Sequence, residues 1–376
     1  MSRLYSLPFF IIFLLCFSCS DNPTESIPAP PVPADLGDGW PVASVSDEGL
    51  EAETITWMSE AAKNGNFGQI HCILIVRDGK LIFEEYYGGY HVNRLHPLAS
   101  VTKSIVSILI GIAVDRGYIA DIDSSIREYF PEYSDIFTNE PQKKDLTTRH
   151  LLTMSSGFEW DEWSYPYTSS LNSYYQMEHS SNWTRFVLEL PLIHTPGSIF
   201  TYNTANSIIQ GDIIHNVCEQ AADQWAESVL FEPLEITSYS WTKQNNGLPQ
   251  TGGGLSLRPR DLAKIGFLLI NAGKWQNQQI ISQSWIEQSI IPAVTIWSGV
   301  KYGFNWWLRS LPDINNFEPQ DNDIIYGFGY AGQYLFIIPR LEMIVVCTSW
   351  NENELDSAPL GILYEFVLPA IDQDSI

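Results

Sequence analysis

Two segments, one near each end of the chain, read as β-hairpins, and they limit the possible folds more than anything between them. HCILIVRDGKLIFEEYY (residues 71–87) holds two apolar, β-rich runs around Asp78-Gly79, a dipeptide favoured in two-residue type I′ turns. GQYLFIIP (332–339) turns at Pro339-Arg340 and returns as LEMIVVCTSW. Between the hairpins the pattern is mostly helical. SIVSILIGIAVDRGY carries apolar residues at Ile105, Leu109, Ile112 and Ala113, with Gly117 near the expected end. LTTRHLLTMSSG predicts a short helix stopped by Gly157. DLAKIGFLLINAG, SQSWIEQSI and DSAPLGILYEFVLPAI predict three more helices, the last closing the chain. Strands from both termini with helices between them imply an α+β fold: an antiparallel sheet flanked by helices, plus a mostly helical insert lobe. Two consecutive α+β domains also fit the pattern.

At 376 residues the chain exceeds the roughly 250–300 at which one core usually divides. With 45% hydrophobic and 17% charged residues it has a globular composition. Its 44 acidic and 20 basic side chains leave a net charge of -24, which repels phosphate backbones, so no nucleic-acid partner is expected. Cys72, Cys218 and Cys347 are far apart in apolar contexts and read as small buried hydrophobes. The seven histidines show no metal-like spacing, so no metal is expected.

Residues 1–19 resemble a lipoprotein-type signal peptide. Arg3 precedes the apolar run PFFIIFLLCF, which is too short to span a bilayer, and Ser18-Cys19 resembles a lipidation site. Cys16 stands where such a site usually has Leu. The expectation is a bacterial envelope protein that touches the membrane only through a lipid on Cys19. Residues 20–46, with Pro23, Pro28, Pro30, Pro31, Pro33 and Pro41, read as an extended tether outside the fold.

A Ser and a Lys three residues apart on a helix share one face. Ser needs an adjacent base to become a nucleophile, and a buried Lys can supply it. The pattern S-x-x-K occurs three times: Ser100/Lys103, Ser240/Lys243 and Ser298/Lys301. Ser240/Lys243 runs into QNNG and Ser298/Lys301 contains Gly299, so neither begins a helix. Ser100-Val101-Thr102-Lys103 opens a long apolar one, where the helix start also favours a developing anion. As a bare pattern it fits a helix cap with a surface Lys equally well.

From about residue 66 onward the chain resembles the serine β-lactamases of class C, the related D,D-peptidases, and the esterases and 6-aminohexanoate-dimer hydrolases that share their fold. LASVTKSIVSILIGIAVDRGYI looks like that family's nucleophile helix, and LTTRHLLTMSSGF like the stretch after it. PGSIFTYNTANSIIQG resembles the second motif, GGGLSLRPRDLAKIGFLLINAGKW a later helix, and YGFNWWL and GYAGQYLFIIPRLEMIVV the closing strands. The resemblance implies a β-lactamase/D,D-transpeptidase-like fold. An α/β lobe would comprise 47–130 and 248–376, and a mostly helical lobe 131–247.

The resemblance also implies roles. Ser100 becomes the nucleophile, Lys103 its activator and Tyr202 a proton shuttle whose phenolate nearby cations would favour. The backbone amides of Ser100 and Gln333 become the oxyanion hole. The second motif is usually Tyr-x-Asn; here it is Tyr202-Asn203-Thr204, without the carboxamide that contacts an amide substrate. The third is usually Lys-Thr-Gly or His-x-Gly; here it is Tyr330-Ala331-Gly332, without the cation that grips a carboxylate. Thr204, Tyr330, Ala331 and Gly332 are thus expected to bind substrate, with Gly332 letting the backbone approach it closely. FEWDEWSYPYTSSLNSYYQMEH predicts an aromatic rim or a loop pinned by its own rings. The implied function is hydrolysis of a small ester or amide through an acyl-enzyme. A β-lactamase, a D,D-peptidase or D-aminopeptidase, and a non-catalytic binding module remain alternatives.

Overall fold

The structure, a computed structural model, describes residues 28–297, 299–311, 319–352 and 356–372. Residues 1–19, read as a signal peptide with Cys19, and Ser298 lie outside them. Its frame is an eight-stranded sheet of β1 (Ile70–Arg77), β2 (Lys80–Tyr86), β3 (Val294–Trp297), β4 (Val300–Tyr302), β5 (Trp307–Arg309), β6 (Ile324–Gly329), β7 (Gln333–Ile338) and β8 (Met343–Ser349). The order is β2-β1-β8-β7-β6-β5-β4-β3, antiparallel throughout. The two hairpins pair through β1 and β8, with Ile73 of β1 opposite Cys347 of β8 and Val76 opposite Ile344. Asp78 (φ 49°) and Gly79 (φ 73°) both take the positive φ that a type I′ turn demands.

The central strands are apolar throughout because both faces are covered. Alternate side chains point to opposite sides. Ile73, Ile75, Phe336 and Val345 pack with Ile55 and Met58 of the helix Ala52–Lys63 and with Ile362 and Val367 near the C-terminus. Leu74, Val76, Leu335 and Ile344 pack with the helices Val101–Asp115 and Pro259–Ile270. This second cluster runs on through Leu151, Phe158, Met177, Val187 and Ile208 of the helical insert. The insert therefore shares the core of the sheet lobe. Cys72, Cys218 and Cys347 are free and buried, with Cys72 and Cys347 in the clusters on opposite sheet faces. Among the described residues, no helix is long and apolar enough to cross a membrane.

Three readings need correction. The prolines of 20–46 do not keep that whole stretch out of the fold. Trp40 is buried edge-on to Phe267 and Trp275, and Leu81 N–H donates to Pro41 O at 2.8 Å. Proline lacks a donor but keeps its carbonyl, so an X-Pro stretch can still pair at a sheet margin. Second, the helix Thr148–Leu152 ends before the left-handed Met154 (φ 54°), three residues short of Gly157. There Met154 O accepts the Thr201 N–H at 2.8 Å, an exchange with a distant segment that local propensity cannot reveal. Third, the region between the hairpins also carries β3, β4, β5 and β6, of which only the stretch around β5 reads as strand in the sequence; β3, β4 and β5 are too short for a clear two-residue period.

Candidate active site

Ser100 sits at the start of the helix Val101–Asp115, just after Ala99, whose φ is 45°. A non-glycine residue there is unusual, and its turn sets Ser100 at the helix mouth. Lys103, 1% exposed, reaches back one turn: Nζ lies 2.8 Å from Ser100 Oγ and 2.5 Å from Gly252 O. Burial brings its amine down to about 8, against a smaller opposing pull from Glu162. The first turn is pinned by Asn305, which donates through Nδ2 to Lys103 O (3.0 Å) and Gln210 Oε1 (2.8 Å) and accepts from Ser104 Oγ at its own carbonyl (2.7 Å).

Tyr202 lies two residues before the helix Thr204–Cys218. Its buried ring stacks on Trp163 (5.2 Å between centroids) and Trp307 (5.9 Å), and Lys103 Nζ is 5.1 Å from its centre. Burial, then the Glu162 carboxylate, push the Tyr202 phenol well above its ordinary range, with a hydrogen bond to Ser100 acting the other way. The cation-stabilised phenolate expected from the motif does not fit this balance, in which burial and Glu162 outweigh the hydrogen bond to Ser100. The Thr204 hydroxyl donates to Glu162 Oε1 at 2.6 Å.

β6, an interior strand of the sheet, comes close to the turn before Ser100 at Gly329. A Cβ on Gly329 would collide with Leu98 O and lie 3.1 Å from the Cβ atoms of both Ala99 and Gln333. Gln333 thus stands beside the nucleophile turn, its side-chain amide fixed on Ser349 O (2.6 Å) and Tyr330 O (3.2 Å). Ala331 is buried, and a side chain on Gly332 would run into Ser349 Oγ. Tyr330 is the exposed member of the third motif, edge-on to Tyr167 at 5.8 Å.

The aromatic segment forms both the rim and the pinned loop that the sequence left open. Trp163, more than half exposed, covers Tyr202 and borders a cavity of about 170 Å³ lined also by Trp160, Asp161, Glu162, Phe200 and Thr201. Asn172 holds the loop by donating to Glu162 O (3.1 Å) and Tyr165 O (2.8 Å). Asn172 and Asn182 both cap helices, and His150 forms a reciprocal cap with Thr147. Ser240 and Lys243 lie on a surface strand margin, with Lys243 paired to Asp223. Sequence reasoning missed Glu162, Gly252 and Asn305, since no spacing distinguishes them from loop residues.

A sheet built from both chain ends, a helical insert, and a half-buried Ser beside a buried Lys on the helix between them define a β-lactamase-like serine hydrolase. Residues 61–362 match the beta-lactamase family, and the chain belongs to it. The 6-aminohexanoate-dimer hydrolase of Paenarthrobacter ureafaciens is 23% identical over 305 residues, covering 75% of this chain and 73% of that one. The solved structure of EstCE1, a hydrolase with promiscuous acyltransferase activity, superposes with a TM-score of 0.70 at 18% identity over 85% of this chain and 98% of its own. A class C beta-lactamase superposes at 0.64 with 15% identity, over 84% and 95%.

Proposed function

We propose that the protein hydrolyses small neutral esters or amides through an acyl-enzyme on Ser100. The carrying observation is the buried Lys103 amine, lowered to about 8 and 2.8 Å from Ser100 Oγ. When that amine is neutral, the hydroxyl can donate to it. Lys103 takes the Ser100 proton as Oγ bonds to the substrate carbonyl carbon. The oxyanion rests on the amides of Ser100 and Gln333. Tyr202, protonated at rest, gives its proton to the departing oxygen or nitrogen and regains one from Lys103. In the second half a water passes a proton to the same pair, bonds to the acyl carbon and expels Ser100, which is reprotonated.

The substrate preference rests on the second and third motifs. A β-lactam or D-alanyl peptide offers an amide and a carboxylate, while Thr204 is spent on Glu162 and Tyr330 brings no cation. Losing one charge-assisted hydrogen bond costs about 1.5–3 kcal/mol. Short-chain p-nitrophenyl esters should therefore be turned over with weak or absent hydrolysis of nitrocefin. A kcat/KM for nitrocefin above that for p-nitrophenyl butyrate reverses the ranking. Intact mass with peptide mapping after a fluorophosphonate should find the label on Ser100, and label on another Ser removes the assignment. We also infer anchoring by a lipid on Cys19, supported by the apolar run and Ser18-Cys19. Cys19→Ala should release the protein from membranes or block its maturation, and a soluble native protein starting elsewhere than residue 19 refutes it.

A further inference from the structure

Glu162 has no place in the proton relay, yet its burial and its contacts are those of a built element of the site. Its side chain is buried, and each oxygen accepts two hydrogen bonds. Oε1 takes Thr204 Oγ1 at 2.6 Å and Tyr167 OH at 2.9 Å; Oε2 takes the Thr204 N–H at 2.8 Å and Trp160 Nε1 at 2.9 Å. Four donors on two oxygens use the full acceptor capacity of a carboxylate, and an amide could not accept all of them. Among the described residues, no Lys or Arg forms an ion pair with it.

Two consequences follow from where this carboxylate lies. It holds the first N–H of the helix Thr204–Cys218, two residues after Tyr202, at the end where a helix favours negative charge. It also lines the cavity beside Tyr202, whose other walls include the rings of Trp163 and Phe200. Ring faces of this kind attract a cation and give nothing to an anion.

We propose that Glu162 is a positioning and specificity-determining residue: it fixes the helix start that carries Tyr202, and its negative charge turns away substrates bearing a carboxylate while admitting neutral and cationic ones. This deepens the hydrolase reading above and rests on it. Its reach to the catalytic pair is electrostatic as well as geometric, since Glu162 pulls the Lys103 amine upward against the effect of burial.

The test uses p-nitrophenyl esters with one leaving group and three acyl chains: butyrate, hemisuccinate, and 4-(trimethylammonio)butyrate. The wild type should favour the neutral and cationic esters over the hemisuccinate by at least thirtyfold in kcat/KM. Glu162→Gln should shrink that ratio at least tenfold and move the acid limb of the pH profile to lower pH. Glu162→Asp, which keeps the charge, should preserve both the ratio and the limb whatever it does to kcat. Equal losses on all three esters in Glu162→Gln, with ratio and limb unmoved, leave Glu162 a packing residue and overturn the proposal. A wild type that prefers the hemisuccinate overturns it as well, even if the Gln variant does not fold. A wild type that hydrolyses no ester and takes no fluorophosphonate on Ser100 instead removes the hydrolase reading, and this proposal with it.

Discussion

The side-chain nitrogen of Lys103 lies 2.5 Å from the carbonyl oxygen of Gly252, a neutral acceptor on the loop beneath the nucleophile helix. A carboxylate in that place would lock the amine in its charged form; a carbonyl orients it at far smaller electrostatic gain. Burial then dominates and brings the amine to about 8, so it becomes neutral, and able to take a proton, as pH rises through that value. The kcat/KM for a neutral ester should climb with an apparent pKa near 8 and level off above it. In Lys103→Ala that limb should vanish and activity fall by about 10²–10⁴-fold, the usual worth of a positioned base. Initial rates with p-nitrophenyl butyrate from pH 6 to 10 decide the matter, and a profile flat below pH 9 counts against Lys103 as the base.

In the proposed relay Tyr202 and Lys103 act on one proton, so their losses should not add. Tyr202→Phe, Lys103→Ala and the double variant should be similarly poor in kcat. The ring stack on Trp163 and Trp307 survives the Phe replacement, so a defect there isolates the hydroxyl. Near-normal kcat in Tyr202→Phe would make Tyr202 a packing residue only.

Gly329 is the place where the end of β6 meets the turn before Ser100. A methyl group there meets Leu98 O, a backbone atom that cannot swing aside as a side-chain tip could. Gly329→Ala should cost about 1–3 kcal/mol, the usual range for overpacking. Because the displaced atoms are Leu98, Ala99 and Gln333, activity should fall more than folding does. Urea denaturation together with the rate of Ser100 labelling separates the two effects. Unchanged labelling would show that the turn absorbs the added atom.

What the sequence disclosed and what it concealed divide along physical lines. The hairpins were legible because turn chemistry at Asp78-Gly79 and runs such as CILIV are local signals, and the nucleophile helix was legible from its apolar length. Glu162 was not, because its role depends on Thr204, which reaches it from 42 residues further along the chain, as well as on Trp160 and Tyr167 of its own loop. Trp40 was hidden by the surrounding prolines, whose composition argues for an extended tether while saying nothing of one aromatic that finds Phe267 and Trp275. Trp40→Ala should accordingly cost about 3–5 kcal/mol by the usual scale for a buried aromatic, measured by urea denaturation. A loss below 1 kcal/mol would restore the tether reading for that stretch.

The last prediction concerns acid. His71 Nδ1 and His96 Nε2 are 2.8 Å apart, and His96 Nδ1 lies 2.9 Å from Pro97 O. The carbonyl can only accept, so His96 carries its proton on Nδ1 and Nε2 accepts from His71. A second proton on His96 would set two donors face to face. Tyr90 stacks on His71 at 3.9 Å, and the Arg94 guanidinium lies 3.8 Å from the Tyr90 ring centre. Burial first, then His96 and Arg94, bring His71 down to about 4, and burial lowers His96 too. A histidine depressed in the fold leaves the unfolded chain to take protons first. Stability is therefore fully present above pH 6.5 and is lost as pH falls toward 4. For His71 alone the loss by pH 4.5 is up to about 2–3 kcal/mol. His71→Gln keeps a donor for His96 Nε2 but cannot titrate, so its stability should fall less over the same interval. Since His96 lies four residues before Ser100, on a strand paired with Leu255–Leu257, the acid loss should reach the nucleophile as slower labelling. Urea denaturation of both proteins at pH 7 and 4.5 supplies the comparison. Parallel losses in the two would show that carboxylates elsewhere, and not this pair, govern the acid limit.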